Sequence, residues 1–297
     1  LYAFPPTTMS SAYSAGVLMM GYDIYKDIYP DYAQDCLESA MIANEYVNNN
    51  DFVGIRSIEK FSNNGEYRDD EDISERYFMN LIFGIVLNDD SYIKEAEILF
   101  NSNDLDFVGT DYYNPSAYAS YLFVKDYNGG QYENFKDNIS QQIIEKANQI
   151  STNSYMNGFL NSNVGYIWGT NYQAANEGTI LGFAYDLTGY DVYLNNACNQ
   201  LHYILGTNTL SVSYVTGYGV VTPQNIHHRI SSIVGTPIKG AMVGGANDYR
   251  EINEGLDSDV SNVVSAKNYL DSQSSYSTNE VAIYYNSSLE LLLSIVD

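Results

Sequence analysis

Residues 171–205 read NYQAANEGTILGFAYDLTGYDVYLNNACNQLHYIL, and this stretch decides the fold class. Two runs within it, 171–188 and 191–205, have the apolar spacing of amphipathic helices. Gly189 and Gly206 follow these runs, at positions where glycine commonly ends a helix. The short joint between the two runs predicts a hairpin of packed helices.

The helical pattern recurs on both sides of this hairpin. Pro30 stands where a helix can begin, because the first turn does not need the N–H group that proline lacks. Strand-like patterns are few and short, as at 211–215. Further helices are predicted over 17–28, 30–47, 73–88, 91–101, 114–126, 132–150 and 279–296.

Paired helices with short joints predict an all-α fold of stacked hairpins, either a solenoid or a closed α/α toroid. The sequence has no convincing internal repeat, which disfavours a solenoid of near-identical units. Residues 102–113 and 207–277 break the pattern, and loops of that length are usually functional. No linker rich in proline and serine interrupts the chain, so residues 1–297 are predicted to belong to a single domain.

The excess of acidic residues limits the kinds of molecule that this protein is expected to bind. Acidic residues number 37 and basic residues 13, which gives a formal net charge of −24. Such a surface repels nucleic-acid phosphates and anionic lipid, whereas a neutral polysaccharide feels no repulsion. No apolar run approaches the roughly 20 residues that a membrane-spanning helix needs. The sequence therefore predicts neither a nucleic-acid partner nor a membrane partner.

Residues 269–287 read YLDSQSSYSTNEVAIYYNS and hold the densest group of chemically useful side chains. Ser277 and Glu280 are spaced as a capping box, which predicts that Glu280 caps a helix. A helix start lowers the pKa of a carboxyl group, whereas a general acid needs burial or a nearby negative charge to raise it. Asp271 could supply such a charge. Both interpretations of Glu280 stay open at this point.

Three other segments carry candidate binding residues. His227, His228 and Arg229 could ligate a metal, lie in a solvated loop, or bind hydroxyl groups. Trp168 is the single tryptophan; core burial is the usual interpretation, but the flanking glycines suggest an exposed turn. The acidic run DDED at 69–72 could begin a solvated helix or contribute to a calcium site.

Four segments together resemble glycoside hydrolase family 9. The C-terminal motif from Tyr269 to Ser287 meets every position that the family specifies. The resemblance is weaker at Val221, where the family usually has Asn, Lys or Arg. The other matching segments are SYVTGYG at 213–219 with IHHR at 226–229, GAMVGGA at 240–246 and GYIWG at 165–169.

The resemblance implies roles for individual residues. Glu280 is expected to be the catalytic proton donor, supported by Asp271. His227 is counted among the catalytic residues with Glu280 and Asp271. His227 and Arg229 are expected to contact sugar near the cleavage point, with Trp168 at a glucose-stacking subsite. The remaining predicted substrate-binding residues are His228, Tyr166 and Tyr285, and the candidate calcium ligands are Asp70, Asp72 and Glu75.

The resemblance also implies a fold and an activity. The expected fold is a toroid of six helical hairpins, here without its N-terminal helices. The expected activity is hydrolysis of β-1,4-glucosidic bonds in cellulose or a related β-glucan with inversion, outside the cell and without a cofactor for the chemistry. The family's general base belongs to an Asp-Ala-Gly-Asp motif, which this sequence does not contain. An N-terminal segment or a companion chain is therefore expected to complete the fold.

Two alternative functions remain at this stage. The chain could be part of a non-catalytic glucan-binding protein built on a hydrolase scaffold, which the missing base motif favours. It could also belong to a relative that acts from the chain end or cleaves glucosaminides. The complete Glu280 motif favours an enzyme over a binding protein.

Overall fold

The computed structural model describes residues 5–54, 71–103, 106, 114–250, 254 and 263–297. Within these ranges the chain is helical, and its extended segments meet only in isolated bridges. Two single-turn 3-10 helices also occur, at Gly130–Tyr132 and Ser265–Lys267. The α-helices are α1 (Thr8–Tyr25), α2 (Pro30–Asn48), α3 (Ile73–Leu87), α4 (Asp90–Ser102), α5 (Ser116–Asp126), α6 (Glu133–Tyr155), α7 (Thr170–Thr188), α8 (Asp191–Ile204), α9 (Arg229–Val234), α10 (Tyr276–Asn279) and α11 (Ile283–Val296).

The predicted helices up to α8 are confirmed, and most of their ends differ by only a few residues. The largest difference at a start is in α1, which begins at Thr8 rather than near residue 17. The Thr7 side chain caps this helix by accepting a hydrogen bond from the N–H group of Ser10. In the joint between α7 and α8, Gly189 takes the left-handed conformation with φ of 70° and ends α7 as predicted.

The predicted final helix is wrong over its first turn. The four-residue helix α10 has Ser275 as its N-cap and ends at Asn279, so Glu280 lies after a helix rather than in its first turn. Glu280 is extended, with φ of −67° and ψ of 148°, and α11 begins only at Ile283. The capping-box interpretation of Ser277 and Glu280 is therefore wrong. The short helix α9 was also not predicted, because it lies inside the segment expected to be a long loop.

Contacts divide the chain into two compact units, Leu1–Gln142 and Ile143–Asp297. In the first unit, α3 is the most buried helix and packs against α1, α4 and α5. Small residues allow these close approaches: a Cβ atom on Gly16 would clash with the ring of Phe78, and one on Gly84 would clash with Ile93. The first unit is thus held by helical hairpins around α3.

In the second unit, α7 is the buried central helix, with α8 and α11 packed against it. Gly178 lets Leu292 of α11 and Gln200 of α8 approach the α7 backbone. One turn further along, Gly182 faces Ile295 of α11 in the same way. The backbone of α11 is therefore fixed against α7, and the segments that precede α11 are placed next to the start of α7. No helix in the described ranges is long and apolar enough to cross a bilayer.

Candidate active site

Three extended segments of the second unit lie side by side around Glu280. The His227 N–H group donates to the Asn279 carbonyl oxygen at 2.8 Å. The Gly244 N–H group donates to the Glu280 carbonyl oxygen at 3.0 Å, and Gly245 N–H donates to Thr278 at 2.9 Å. Because Glu280 forms a bridge with His227 on one side and its carbonyl oxygen accepts from Gly244 on the other, its backbone position and the origin of its side chain are fixed.

The surroundings of the Glu280 carboxyl group change how readily it gives up its proton. Glu280 is partly buried, and this burial raises the pKa of its carboxyl group above the ordinary value for glutamate. A hydrogen bond from Trp168 and the charge of His227 lower the pKa without cancelling the effect of burial. The indole N–H group can only donate, so it stabilises the carboxylate that remains after a proton has been transferred.

Exposed aromatic rings lie beside this acid. Trp168 is 40% exposed, and its ring centroid lies 5.9 Å from that of Tyr276, with 31° between the ring planes. Tyr249 is 55% exposed, with its centroid 6.4 Å from that of Trp168. Flat exposed rings suit the apolar faces of sugars, and the tyrosine hydroxyl groups suit sugar hydroxyls. Trp168 is thus exposed, as the glycines around it predicted, rather than part of the core.

A backbone carbonyl group and a neighbouring ring orient the imidazole of His227. Its Nδ1 atom lies 2.7 Å from the carbonyl oxygen of Gln273, and its ring centroid lies 6.1 Å from that of Tyr276. A carbonyl oxygen can only accept, so Nδ1 carries the hydrogen and the Nε2 atom is left for another partner. His227 is exposed, and Nε2 can therefore bond with a substrate hydroxyl group.

Asp271 joins the His227 segment to the Glu280 segment. Its Oδ2 atom accepts from the Gln224 N–H group and its Oδ1 atom from the Asn225 N–H group, both at 2.8 Å. Oδ1 also accepts from the side-chain amide of Asn279 at 3.1 Å. Burial, rather than a charge on Asp271, raises the pKa of Glu280. The suggestion from the sequence that Asp271 raises this pKa is therefore wrong. The Asp271 carboxylate instead links two segments, and this link is called the Asp271 clamp.

The two residues after His227 differ in what they can bind. His228 is the N-cap of α9, and its Nδ1 atom accepts from the Ser231 N–H group at 3.3 Å. This bond commits Nδ1 to the helix, and a sugar contact through the rest of the half-exposed imidazole stays a prediction. Arg229 is exposed, and its side chain makes no hydrogen bond or ion pair with any residue that the structure describes. Its guanidinium group can donate to a ligand.

Two tyrosines predicted to contact sugar are turned into the protein. Tyr285 is 1% exposed, and its ring lies against the backbone of Gly169 and Gly244. The hydroxyl group of Tyr166 bonds with Tyr203, which is 2% exposed. Burial therefore gives Tyr285 a supporting place beneath the site, and the Tyr166 hydroxyl group is already used inside the core.

Two rings at the site were not predicted as site residues. Tyr276 belongs to the conspicuous motif around Glu280, and its place four residues before the acid was the available signal. Tyr249 lies in the segment expected to be a long loop and carries no sequence signal. The Asp248 N–H group donates to the Tyr166 carbonyl oxygen at 2.9 Å, and this contact brings Tyr249 to Trp168.

The predicted calcium ligands do not form a site within the described residues. Asp70 lies outside them. Asp72 pairs with the Arg76 guanidinium group at 2.8 Å, and Glu75 is 2% exposed and accepts from the Ser74 hydroxyl group. No group of three His, Cys, Asp or Glu side chains in the described ranges could hold a metal ion. His227 and His228 lie within these ranges, so no such group contains them. A carboxylate that faces a guanidinium group is poorly suited to a second cation.

A partly buried carboxyl group beside exposed aromatic rings on an all-α scaffold suits a protein of the glycoside hydrolase class. Residues 2–293 match the profile of glycosyl hydrolase family 9. The chain therefore belongs to glycosyl hydrolase family 9. Enzymes of this family need no cofactor for catalysis.

Curated relatives match most or part of the chain. Endoglucanase D from Acetivibrio thermocellus is 26% identical over 292 residues, which cover 96% of this chain and 44% of the relative. The xyloglucan-specific endo-beta-1,4-glucanase BoGH9A from Bacteroides ovatus is 34% identical over 170 residues, which cover 55% of this chain and 28% of the relative. The chain thus spans less than half the length of these two relatives.

Solved structures confirm the fold class. A metagenome-derived family 9 endoglucanase matches with a TM-score of 0.87 and 27% identity, over 96% of this chain and 52% of that one. The family 9 endoglucanase J30 matches with a TM-score of 0.87 and 25% identity, over 98% of this chain and 55% of that one. The predicted α/α toroid class is therefore confirmed, and the chain corresponds to about half of these enzymes.

Proposed function

We propose that the protein to which this chain belongs hydrolyses β-1,4-glucosidic bonds in cellulose or a related β-glucan, with Glu280 as the proton donor. The observation that carries the proposal is the place of Glu280, whose backbone is held between the His227 and Gly244 segments beside the exposed ring of Trp168. Burial there favours the protonated carboxyl group, and the Trp168 N–H group stabilises the carboxylate. An acid catalyst needs both, since it must hold a proton before the reaction and be stable without it afterwards.

In the proposed mechanism, Glu280 gives its proton to the bridging oxygen as the bond from that oxygen to the anomeric carbon breaks. The electron pair of the broken bond stays with the oxygen, and the leaving sugar departs as a neutral alcohol. The Trp168 N–H group and the His227 imidazole stabilise the new carboxylate. As the leaving group departs, water attacks the anomeric carbon from the opposite face and gives one proton to the general base, which leaves a hydroxyl group with inverted configuration.

The substrate chain is proposed to lie across the exposed rings of Trp168 and Tyr249 and the half-buried ring of Tyr276. The ring centroid of Trp168 lies 6.4 Å from that of Tyr249 and 5.9 Å from that of Tyr276. These separations support stacking under adjacent parts of a sugar chain. His227 Nε2 and the Arg229 guanidinium group are proposed to bond with sugar hydroxyl groups. Site geometry supports the roles of Glu280, His227, Arg229 and Trp168, and Asp271 acts by holding two of these segments together.

The activating base is proposed to come from outside these 297 residues. Inversion needs a second carboxylate about 6.5–9.5 Å from the acid, with water between them. The Asp-Ala-Gly-Asp motif does not occur in the sequence, and the chain spans 52% of a matching endoglucanase structure. An N-terminal segment or companion chain that carries this motif would supply the base. A polymeric substrate further supports secretion of the whole protein.

A non-catalytic glucan-binding protein is the second candidate function, since the missing base motif favours it. The assay is release of reducing ends from carboxymethylcellulose by the full-length protein, with viscosity measured in parallel. We expect reducing ends to appear and viscosity to fall early, as endo-acting cleavage requires. Early release without loss of viscosity would indicate attack from chain ends. Glucan binding without any release of sugar would instead establish the binding protein.

The protonation of Glu280 is expected to set the high-pH side of the activity profile of the full-length protein. Glu280 must be protonated to act, so activity falls as pH rises through its pKa. Trp168→Phe removes the hydrogen bond that lowers this pKa, and the alkaline limb of kcat/KM is expected to move to higher pH. The pH profile of kcat/KM on a soluble cellodextrin measures this limb. A limb that moves to lower pH would contradict the assignment of Glu280 as the acid.

A further inference from the structure

Glu254 is a fully buried carboxylate that the mechanism does not use. It is 0% exposed, and its Oε2 atom accepts from the N–H group of Ser277 at 2.8 Å. The hydroxyl group of Ser277 donates to the same oxygen at 2.6 Å, and that of Ser275 lies 3.4 Å from it. A buried carboxylate is costly unless several donors satisfy it, so this arrangement fixes the groups that surround it.

Two of these donors belong to Ser277 in α10 and the third to Ser275, the N-cap of α10. A helix as short as α10 is not stable on its own. It has four residues, and the first N–H groups of any helix lack partners within the helix. The side chain of its N-cap, Ser275, makes no capping bond to the backbone. Glu254 supplies the missing acceptor from a separate part of the chain.

The far end of α10 carries the catalytic acid. Glu280 directly follows Asn279, the last residue of α10. The Ser277 carbonyl oxygen accepts from the side-chain amide of Asn247 at 2.7 Å, and Asn279 donates to Asp271 at 3.1 Å. The helix is thus held at its start by Glu254 and at its end by Asp271. A shift of its start would move Glu280 relative to Trp168.

We infer that Glu254 is a positioning residue for the catalytic acid: a buried anion that holds α10 so that Glu280 stays against Trp168. This inference rests on the proposed function, because it concerns the acid of that reaction. Glu254 does not touch the substrate or the reacting atoms. Its removal should therefore change turnover more than the binding of glucan.

Glu254→Gln in the full-length protein tests the inference. The amide keeps the shape of the side chain but loses the charge that attracts three donors. Since hydrogen bonds to charged groups are the strong ones, kcat on a soluble cellodextrin is expected to fall about 10- to 100-fold, with KM within about twofold. The alkaline limb of the kcat profile is expected to move to lower pH, because a loosened Glu280 is less buried while His227 still faces it.

Matched variants separate positioning from loss of folding. Glu290→Gln makes the same chemical change at an exposed position of α11 and should leave kcat and thermal unfolding unchanged. Ser277→Ala removes one donor to Glu254 and should lower kcat by about twofold to tenfold. Because both residues act through one contact, the double variant Glu254→Gln, Ser277→Ala should resemble Glu254→Gln alone.

The outcomes are distinct. A folded Glu254→Gln variant with wild-type kcat and an unmoved alkaline limb would overturn the inference and leave the proposed function intact. If Glu254→Gln does not fold, wild-type kcat in Ser277→Ala would overturn it instead. A full-length wild-type protein that releases no sugar from any β-glucan would overturn both proposals. A fall in kcat with a shifted limb and nearly constant KM supports the positioning role.

Discussion

Glu280→Gln is expected to lower kcat on β-glucan about 100- to 10,000-fold, which is the usual contribution of a positioned acid catalyst. Glutamine keeps the size of the side chain and can still accept from Trp168, but it has no proton to give. Neither folding nor the aromatic surface of Trp168, Tyr249 and Tyr276 depends on that proton. Release of reducing ends from carboxymethylcellulose by the full-length variant measures the effect.

The control for this prediction is Glu290→Gln, which changes the same group at an exposed position of α11. It should hydrolyse glucan at the wild-type rate. Glu280→Gln should also retain glucan affinity within a fewfold of wild type, as measured by gel retardation in soluble glucan. Glucan hydrolysis by folded Glu280→Gln at a rate near wild type would contradict the assignment of Glu280 as the acid.

Asp271→Asn is expected to lower kcat/KM about 10- to 100-fold. The carboxylate accepts from two backbone N–H groups and from Asn279, and hydrogen bonds to charged groups each contribute about 1.5–3 kcal/mol. An amide places two hydrogens where those donors point, so one loop contact is lost. The segments that carry His227 and Glu280 would then separate. Steady-state kinetics on a cellodextrin, together with thermal unfolding, measures both consequences.

The matched control is Asp191→Asn, which alters an exposed aspartate in the first turn of α8. A small loss of stability and no change in kcat/KM are expected there. Because Asp271 acts on both segments, its substitution should raise KM as well as lower kcat, unlike Glu254→Gln. Wild-type kinetics in a folded Asp271→Asn variant would show that the clamp does not support the site.

Much of the fold follows from short-range pattern. The hairpin of α7 and α8 is predictable because apolar residues repeat at helical spacing and Gly189 marks the joint. The break before α11 is not predictable in this way. Ser277 and Glu280 have the local spacing of a capping box, but the Ser277 N–H group donates to Glu254, 23 positions away. A contact between distant residues thus overrides a local signal.

The same distinction between local pattern and long-range contact applies to the residues of the site. Glu280 and Asp271 share one motif, and their proximity through Asn279 reflects their separation of only nine positions in the sequence. The burial of Tyr285 depends on the packing of α11 against α7, which no local pattern reveals. The capping role of His228 was similarly hidden, because the short helix α9 lies within an irregular segment.

The central claim is that Glu280 hands its proton to the bridging oxygen, and the choice of leaving group tests this most directly. Dinitrophenyl cellobioside has a leaving group that departs as a stable anion and needs no proton. The full-length Glu280→Ala variant should therefore cleave this compound within about tenfold of the wild-type rate while losing activity on cellodextrins. Equal loss of activity on both substrates by a folded variant would contradict the claim.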